Sequence, residues 1–245
     1  MSNKQTSFYL LLKKIAKKIY GKWDLQGLSN IPSEPSIIVG NHSQVHGPLV
    51  SELLFPYQKT VWCISEVMDA KTIPDYAMRD FFIYKSQKLK WLYKAISRFV
   101  AKPLAYIFNN ADTLPVYKDN RIISTFKQSI LQLENNKHVI IFPEDHTPYN
   151  NIINDFQSNY IDLARLYYHK TGRAINFVPM YIAPKLKTVV FGEKIQYNPK
   201  MDFKILKQNI NDYLKNTITT MAVSLPSHVI VPYANISKRE YIKSR

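Results

Sequence analysis

Short apolar segments alternate with amphipathic segments along almost the whole chain, and this alternation constrains the fold more than any other feature. Residues 35–40 and 137–142 are strongly apolar, so we expect both to be strands inside a sheet. Helical spacing of apolar residues is clearest in residues 8–20, 87–109, 122–134, 155–170 and 201–221. Strands alternating with helices predict an α/β fold with a mostly parallel central sheet flanked by helices.

The composition and organisation of the chain favour a single domain. Its 245 residues are 46% hydrophobic, which is enough to bury a core. No internal repeat and no Gly/Ser/Pro-rich linker divides the chain, so we expect one domain over residues 1–245, ending in a helix and tail over residues 200–245. Cys63 is the only cysteine, which excludes a disulfide within the chain.

Residues 1–24 predict a basic amphipathic helix at the N-terminus. One face carries Phe8, Leu11, Leu12, Ile15 and Ile19, and lysines fall largely on the other. Two interpretations remain open: the apolar stripe packs on its own domain, or it lies on an anionic membrane surface. The net charge of +15 suits the second. No segment reads as a transmembrane helix or signal peptide, so we expect a cytoplasmic protein, peripheral on the inner face of the membrane.

Two polar loops follow the two apolar strands. They cover residues 40–48 and 142–148. In a parallel sheet, loops beyond the carboxyl ends of inner strands lie side by side. This arrangement predicts that five side chains converge: His42, His46, Glu144, Asp145 and His146. A histidine beside a carboxylate is the minimal unit for general-base catalysis near neutral pH.

Four short blocks also stand in the order known from one family: Asn41-His42 with Gly47-Pro48, an apolar segment leading to Lys118, Phe-Pro-Glu-Asp at residues 142–145, and Val-Pro at residues 178–179. Through them, residues 30–195 resemble the glycerophospholipid acyltransferases of the 1-acylglycerol-3-phosphate acyltransferase type. The resemblance implies transfer of a fatty acyl group from an acyl-carrier protein or coenzyme A thioester to a hydroxyl of a lysophospholipid or related acceptor. It implies no cofactor besides that co-substrate.

The resemblance also implies roles for individual residues. His42 is the general base, and Glu144 orders the site or helps to bind the acceptor. Lys118 stands where the family has arginine, so it would bind the acceptor phosphate, with Arg121 as possible support. His46 is a possible second active-site group. The remaining predicted substrate-binding positions are Asn41, Gly47, Pro143 and His146.

The sequence departs from the family pattern in ways that bear on the chemistry. Gly47 stands where the family has the aspartate that partners the histidine. Loss of such an orienting carboxylate costs on the order of 10⁴ in kcat in the serine-protease template. Asp145 stands where the family usually has glycine, so we expect its carboxylate to replace the missing one, with Glu144, and less so His46 or Glu66, as the other candidates. Lys118 offers a point charge instead of a bidentate fork, which weakens the case for lysophosphatidate as the acceptor.

Three other functions compete with acyl transfer. A catalytically inactive relative would bind lipid at a membrane without turnover, and Gly47 favours this alternative. A metal-dependent hydrolase would draw its ligands from His42, His46, Glu144 and His146, but we expect no metal because Gly47-Pro48 places the two histidines before a helix instead of on one. A nucleic-acid partner would suit the charge, yet no Gly-rich phosphate cradle or RNA-binding aromatic signature is present, so we expect none.

Overall fold

The structure, a computed structural model, describes residues 5–83 and 85–244. The predicted domain range therefore extends beyond the described residues at positions 1–4, 84 and 245. The strands are β1 (Asp24–Gln26), β2 (Ser36–Gly40), β3 (Lys59–Ile64), β4 (Thr113–Val116), β5 (His138–Ile141), β6 (Glu144–Pro148), β7 (Asn154–Phe156), β8 (Asn176–Ala183), β9 (Thr188–Phe191) and β10 (Ile195–Gln196). The helices are α1 (Ser7–Tyr20), α2 (His46–Leu53), α3 (Ile73–Asp80), α4 (Lys90–Asn110), α5 (Ile122–Glu134), α6 (Asp162–Thr171) and α7 (Phe203–Ser224).

The central sheet has the order β1-β9-β8-β2-β5-β3-β4, with β10 also paired to β8. Every neighbouring pair from β8 to β4 is parallel, whereas β9 and β10 run antiparallel to β8. The strands β6 and β7 form a separate antiparallel pair. The predicted α/β fold, with a mostly parallel sheet flanked by helices, is confirmed.

The inner strands are apolar throughout because both faces of the sheet are covered. Ile37 and Val39 of β2 join a core cluster with apolar residues of α5, α6 and α7. Ile38, which points to the opposite face, joins a second cluster with Val50 of α2. Successive strand residues face opposite sides, so burial on both sides requires an uninterrupted apolar run. This packing positions β2 and β5 side by side at the centre of the sheet.

Several predicted elements appear at the predicted residues, one predicted helix is wrong in its first part, and one predicted loop is a strand. The strand at residues 113–116 and the helix at residues 122–134 are confirmed as β4 and α5. The predicted helix over residues 155–170 instead starts as strand β7 and a 3₁₀ turn, and α6 begins at Asp162. Residues 144–148, predicted as loop, form β6 and pair with β7. Pairing between two such short strands depends on tertiary contacts, so local periodicity does not reveal it.

The N-terminal amphipathic helix is confirmed as α1, but its apolar stripe does not pack on the domain. Of its residues only Tyr9 is buried, while Phe8, Leu11 and Ile15 are exposed and Ile19 is 80% exposed. Polar contacts attach α1 instead: the Tyr9 hydroxyl and the Lys13 ammonium both donate to the Glu52 carboxylate of α2. The apolar stripe therefore faces outwards.

The helix α4 contacts α1 and is itself apolar on the outside. Its Tyr106 ring lies 5.8 Å from the Phe8 ring, and its hydroxyl is hydrogen bonded to Thr6. On the same helix Trp91 is 70% exposed and Phe99 is 85% exposed, among exposed lysines. We call the exposed apolar residues of both helices the α1–α4 surface: Phe8, Leu11, Ile15, Ile19, Trp91 and Phe99. Within the described ranges, no helix has the length and apolar character needed to cross a membrane.

Candidate functional site

The two predicted loops meet at the carboxyl edge of the sheet. Strands β2 and β5 are parallel neighbours with Val39 beside Ile141, so both loops start at the same level. Across them, Oε2 of Glu144 accepts a hydrogen bond from the His42 backbone N–H at 2.5 Å. Oε1 of the same carboxylate accepts from the Asn154 N–H at 3.0 Å. Glu144 therefore joins the histidine loop to the β6–β7 pair.

The Glu144 side chain is buried and fully engaged. It is 5% exposed, and burial raises the pKa of its carboxyl to about 7, although the backbone N–H groups of His42 and Asn154 act in the opposite direction. Each oxygen accepts from a backbone donor, as buried carboxylates require. This geometry suits ordering of the site and leaves little of the carboxylate for direct contact with an acceptor.

The two ring nitrogens of His42 lie in different environments. Nδ1 is buried and makes no hydrogen bond to any residue in the described ranges, although the Gln44 backbone lies nearby. Nε2 is not among the buried nitrogens, so it is the one that a substrate can reach. Burial lowers the pKa of His42 to about 4, an effect that the Gln44 backbone partly offsets. The ring is therefore neutral at pH 7, as a general base must be.

No side chain fits at position 47. A β-carbon built on Gly47 would lie 2.6 Å from the His42 carbonyl oxygen and 2.9 Å from Cε1 of Phe142. The Phe142 ring occupies this space and meets the His42 ring edge to face, with the centroids 5.4 Å apart. An aspartate at position 47 would require the Phe142 ring to move. The packing around Gly47 therefore leaves no room for the motif carboxylate.

The structure does not bring Asp145 to the histidine. Its carboxylate accepts the Thr147 N–H at 2.6 Å, and no hydrogen bond or ion pair joins it to His42 within residues 5–83 and 85–244. No contact in the described residues thus supports the expectation that Asp145 replaces the missing carboxylate, and it stays a prediction. Glu144, the preceding residue of β6, is the one whose carboxylate reaches the histidine loop.

Two predicted substrate-binding residues are structural. The Asn41 side chain is buried, donates to Ser43 Oγ and the Ile182 carbonyl, and accepts the Ile182 N–H. These bonds tie the end of β2 to β8 and leave no free donor for a substrate. Pro143 is also buried, and its carbonyl accepts the Gln157 N–H at 2.9 Å.

The other two histidines of the loops do not contact His42. The Nδ1 atom of His46 is hydrogen bonded to the Tyr20 hydroxyl at 2.5 Å, and burial lowers the pKa of this histidine. His146 is exposed, and its ring lies 5.3 Å from the ring of Tyr233. Within the described part of the chain, no three His, Cys, Asp or Glu side chains are grouped so that they could share a metal ion.

The predicted cations lie at the same sheet edge, after β4. Strand order places β4 three spacings from β2, about 14 Å away. Lys118 is 71% exposed, with Nζ 3.7 Å from Oε2 of Glu66, whereas Arg121 is paired with Asp119 at 2.7 Å. A groove of about 700 Å³, lined among others by Glu66, Tyr117 and Arg121, runs here. His42 does not line this groove, so the edge has separate histidine and cationic parts.

Sequence reasoning missed two features of the histidine loop. Ser43 and Gln44 have left-handed backbone conformations, with φ of +45° and +54°. Strain of this kind in non-glycine residues collects at functional sites. The C-terminal segment also reaches the loop, where the Tyr233 ring lies 5.6 Å from the His42 ring. No sequence signal links residues so far apart in the chain.

Comparison with known proteins gives similarity to solved structures only. No protein-family model and no curated protein matches the chain. Among solved structures, it is similar to the 1-acyl-sn-glycerophosphate (LPA) acyltransferase PlsC from Thermotoga maritima, with 15% sequence identity and a TM-score of 0.48. The alignment covers 87% of this chain and 79% of that one.

We expect Gly47→Asp to destabilise the protein, because the new side chain collides with the His42 carbonyl and the Phe142 ring. Overpacking of this kind costs about 1–3 kcal/mol, measurable by urea unfolding. The loss of unfolding free energy in the double variant Gly47→Asp/Phe142→Ala should be smaller than the sum of the losses in the two single variants, because the Phe142 ring is then gone. Strictly additive costs would contradict the steric explanation.

Glu144 should make stability depend on pH in a defined direction. Its pKa is about 7 when folded against an ordinary 4.5, so the folded state holds a proton that the unfolded state releases between these pH values. Its contribution to the free energy of unfolding therefore falls by about 3 kcal/mol as the pH rises from 4.5 to above 7. Urea unfolding of Glu144→Gln should show this contribution removed, so that the variant gains stability relative to wild type over that range. A flat difference would contradict the assignment.

Proposed function

We propose that this chain is an acyltransferase that moves a fatty acyl group from an acyl-carrier protein or coenzyme A thioester to a hydroxyl of a lysophospholipid or related acceptor. The observation that carries the proposal is the Glu144 carboxylate on the His42 backbone. It joins the two loops at one sheet edge and leaves Nε2 of the histidine open to a substrate. The four motif blocks of the sequence support the same chemistry.

In the proposed reaction, Nε2 of His42 accepts the proton of the acceptor hydroxyl while that oxygen attacks the thioester carbonyl carbon. The carbon–sulfur bond then breaks, the acyl group stays on the oxygen, and the proton passes to the leaving thiolate. No covalent enzyme intermediate forms. The low pKa of His42 leaves the ring unprotonated over the whole neutral range, but it also makes the imidazole a weaker base than one that titrates near pH 7.

The missing carboxylate limits the rate of this reaction. An imidazolium that forms without a carboxylate beside Nδ1 is less stabilised than in the serine-protease template. Because no side chain fits at position 47, the structure favours a slow enzyme. It also favours the second candidate, a catalytically inactive relative that binds lipid.

Lys118 is the proposed partner of a negative group on the acceptor. It is the more available of the two predicted cations, because Arg121 is already paired with Asp119. The separation of about 14 Å between β2 and β4 favours an acceptor whose charge lies well away from the reacting hydroxyl. A lysophospholipid with an extended headgroup, or a lipid-linked sugar, fits this spacing better than lysophosphatidate.

We further propose that the α1–α4 surface binds an anionic membrane. Its exposed apolar side chains stand among exposed lysines such as Lys17, Lys18 and Lys94, the composition typical of helices in the membrane interface. The last residue of α1, Tyr20, is bonded to His46 of the histidine loop. A membrane at this surface would therefore bring lipid substrates close to His42.

The proposed chemistry predicts that His42→Ala loses 10²- to 10⁴-fold in acyl transfer, the usual contribution of a general base. The assay combines acyl-carrier protein or coenzyme A thioesters with a panel of lysolipids. His169→Ala, at an exposed position on α6, is the matched control and should retain full activity. Activity that survives in His42→Ala would exclude this residue as the base, and a silent wild type on every acceptor would favour the inactive relative.

The membrane proposal predicts weaker vesicle binding when the α1–α4 surface is made polar. Leu11→Ser/Ile19→Ser should reduce co-sedimentation with phosphatidylglycerol vesicles about tenfold or more, since each apolar side chain contributes on the order of 1 kcal/mol. Ile205→Ser/Val223→Ser changes similarly exposed residues on α7 and is the matched control. Equal binding by both double variants, or binding that ignores lipid charge and salt, would contradict the proposal.

A further inference from the structure

The C-terminal segment returns across the carboxyl edge of the sheet after α7 ends. Residues 228–244, here called the C-terminal hairpin, fold back on themselves through an antiparallel bridge between Val229 and Lys243. The buried His228 anchors the hairpin, because its Nε2 is hydrogen bonded to the Tyr181 hydroxyl of β8 at 2.8 Å. Ser244 closes the hairpin on the same histidine. The segment therefore has a defined position over the sheet edge.

The hairpin holds the histidine loop at Gln44. The Gln44 amide donates to the Ala234 carbonyl at 3.0 Å and accepts from the Tyr241 hydroxyl at 3.0 Å. Gln44 is one of the two residues of the histidine loop with left-handed backbone, so these bonds act on the strained part of the loop. A strained conformation persists only where surrounding contacts enforce it. The hairpin supplies such contacts two residues from His42.

Two aromatic rings enclose the His42 imidazole. Phe142 meets it on one side at 5.4 Å and 70°, and Tyr233 of the hairpin meets it at 5.6 Å and 89°. Both are edge-to-face arrangements, which aromatic rings prefer and which restrict the plane of the imidazole. The motif carboxylate that would otherwise orient the ring is absent, and Nδ1 has no partner among the described residues.

We propose that Tyr233 is a positioning residue that, together with Phe142, orients the His42 ring in place of a carboxylate. This inference rests on the proposed acyl transfer for its catalytic meaning. The ring of the tyrosine carries the effect and its hydroxyl does not, since the structure shows no hydrogen bond between Tyr233 and His42. The two rings fix the direction of Nε2 but carry no charge that would stabilise the imidazolium. They therefore replace the orienting role of a carboxylate and not its electrostatic role.

The test compares Tyr233→Leu with Tyr233→Phe by NMR of the His42 ring and by steady-state kinetics. Tyr233→Leu should weaken the nuclear Overhauser contacts between the His42 and Phe142 rings, because the imidazole is then free to turn, and lower kcat roughly 10- to 100-fold with little change in KM. Tyr233→Phe should match wild type in both. Tyr57→Leu is the matched control, since Tyr57 packs on another histidine, His138, at the opposite end of the sheet.

Each outcome decides something. Unchanged contacts between the His42 and Phe142 rings and an unchanged kcat in Tyr233→Leu would overturn the inference, and so would an equal loss in Tyr233→Phe, which would assign the effect to the hydroxyl. If the wild type transfers no acyl group, the proposed function fails, and the NMR contacts alone decide whether Tyr233 orients the ring. If Tyr233→Leu does not fold, Tyr241→Phe removes a bond to Gln44 and should weaken the same ring contacts. Unchanged contacts there would also count against the inference.

Discussion

The buried Glu144 carboxylate is the interaction on which the rest of the site depends. One oxygen accepts from the His42 backbone and the other from Asn154, so a single side chain joins β2, β6 and β7 at the sheet edge. A buried carboxylate is tolerated only where donors satisfy both oxygens, and here the donors belong to the histidine loop and to β7, which Glu144 holds together. The requirement for satisfied burial therefore also fixes where the histidine stands.

The geometry around His42 separates two tasks that a carboxylate usually performs together. Packing against Phe142 and Tyr233 orients the ring, but aromatic edges do not neutralise a positive imidazolium. The Phe142 ring and the His42 carbonyl together close position 47 to a side chain, and burial desolvates the histidine. The site is thus consistent with a base that is always neutral and always oriented, at some cost in transition-state stabilisation.

Polar contacts to a buried carboxylate also attach α1 to the domain. The Glu52 carboxylate accepts hydrogen bonds from Tyr9 and Lys13 of α1, and it also forms an ion pair with Lys59, a buried lysine of β3. A buried lysine needs such a partner, because an unpaired charge in the interior is strongly destabilising. With its polar contacts turned inwards, the helix is left with its apolar stripe on the outside, and its Phe8 ring lies 5.8 Å from the Tyr106 ring of α4.

Three features follow from the residue pattern alone: the alternation of strands and helices, the two central apolar strands, and the meeting of their loops at one edge. Local periodicity carries this information, because burial on two faces demands continuous apolar runs in β2 and β5. Three others appear only in the folded chain: the Asp145 carboxylate turns to the Thr147 N–H, residues 154–156 form a strand, and Tyr233 reaches the imidazole. The first two arise in short segments that have no apolar period of their own. The third depends on the C-terminal hairpin, whose bond from Tyr241 to Gln44 spans 197 residues, and a local pattern of apolar residues holds no record of such a contact.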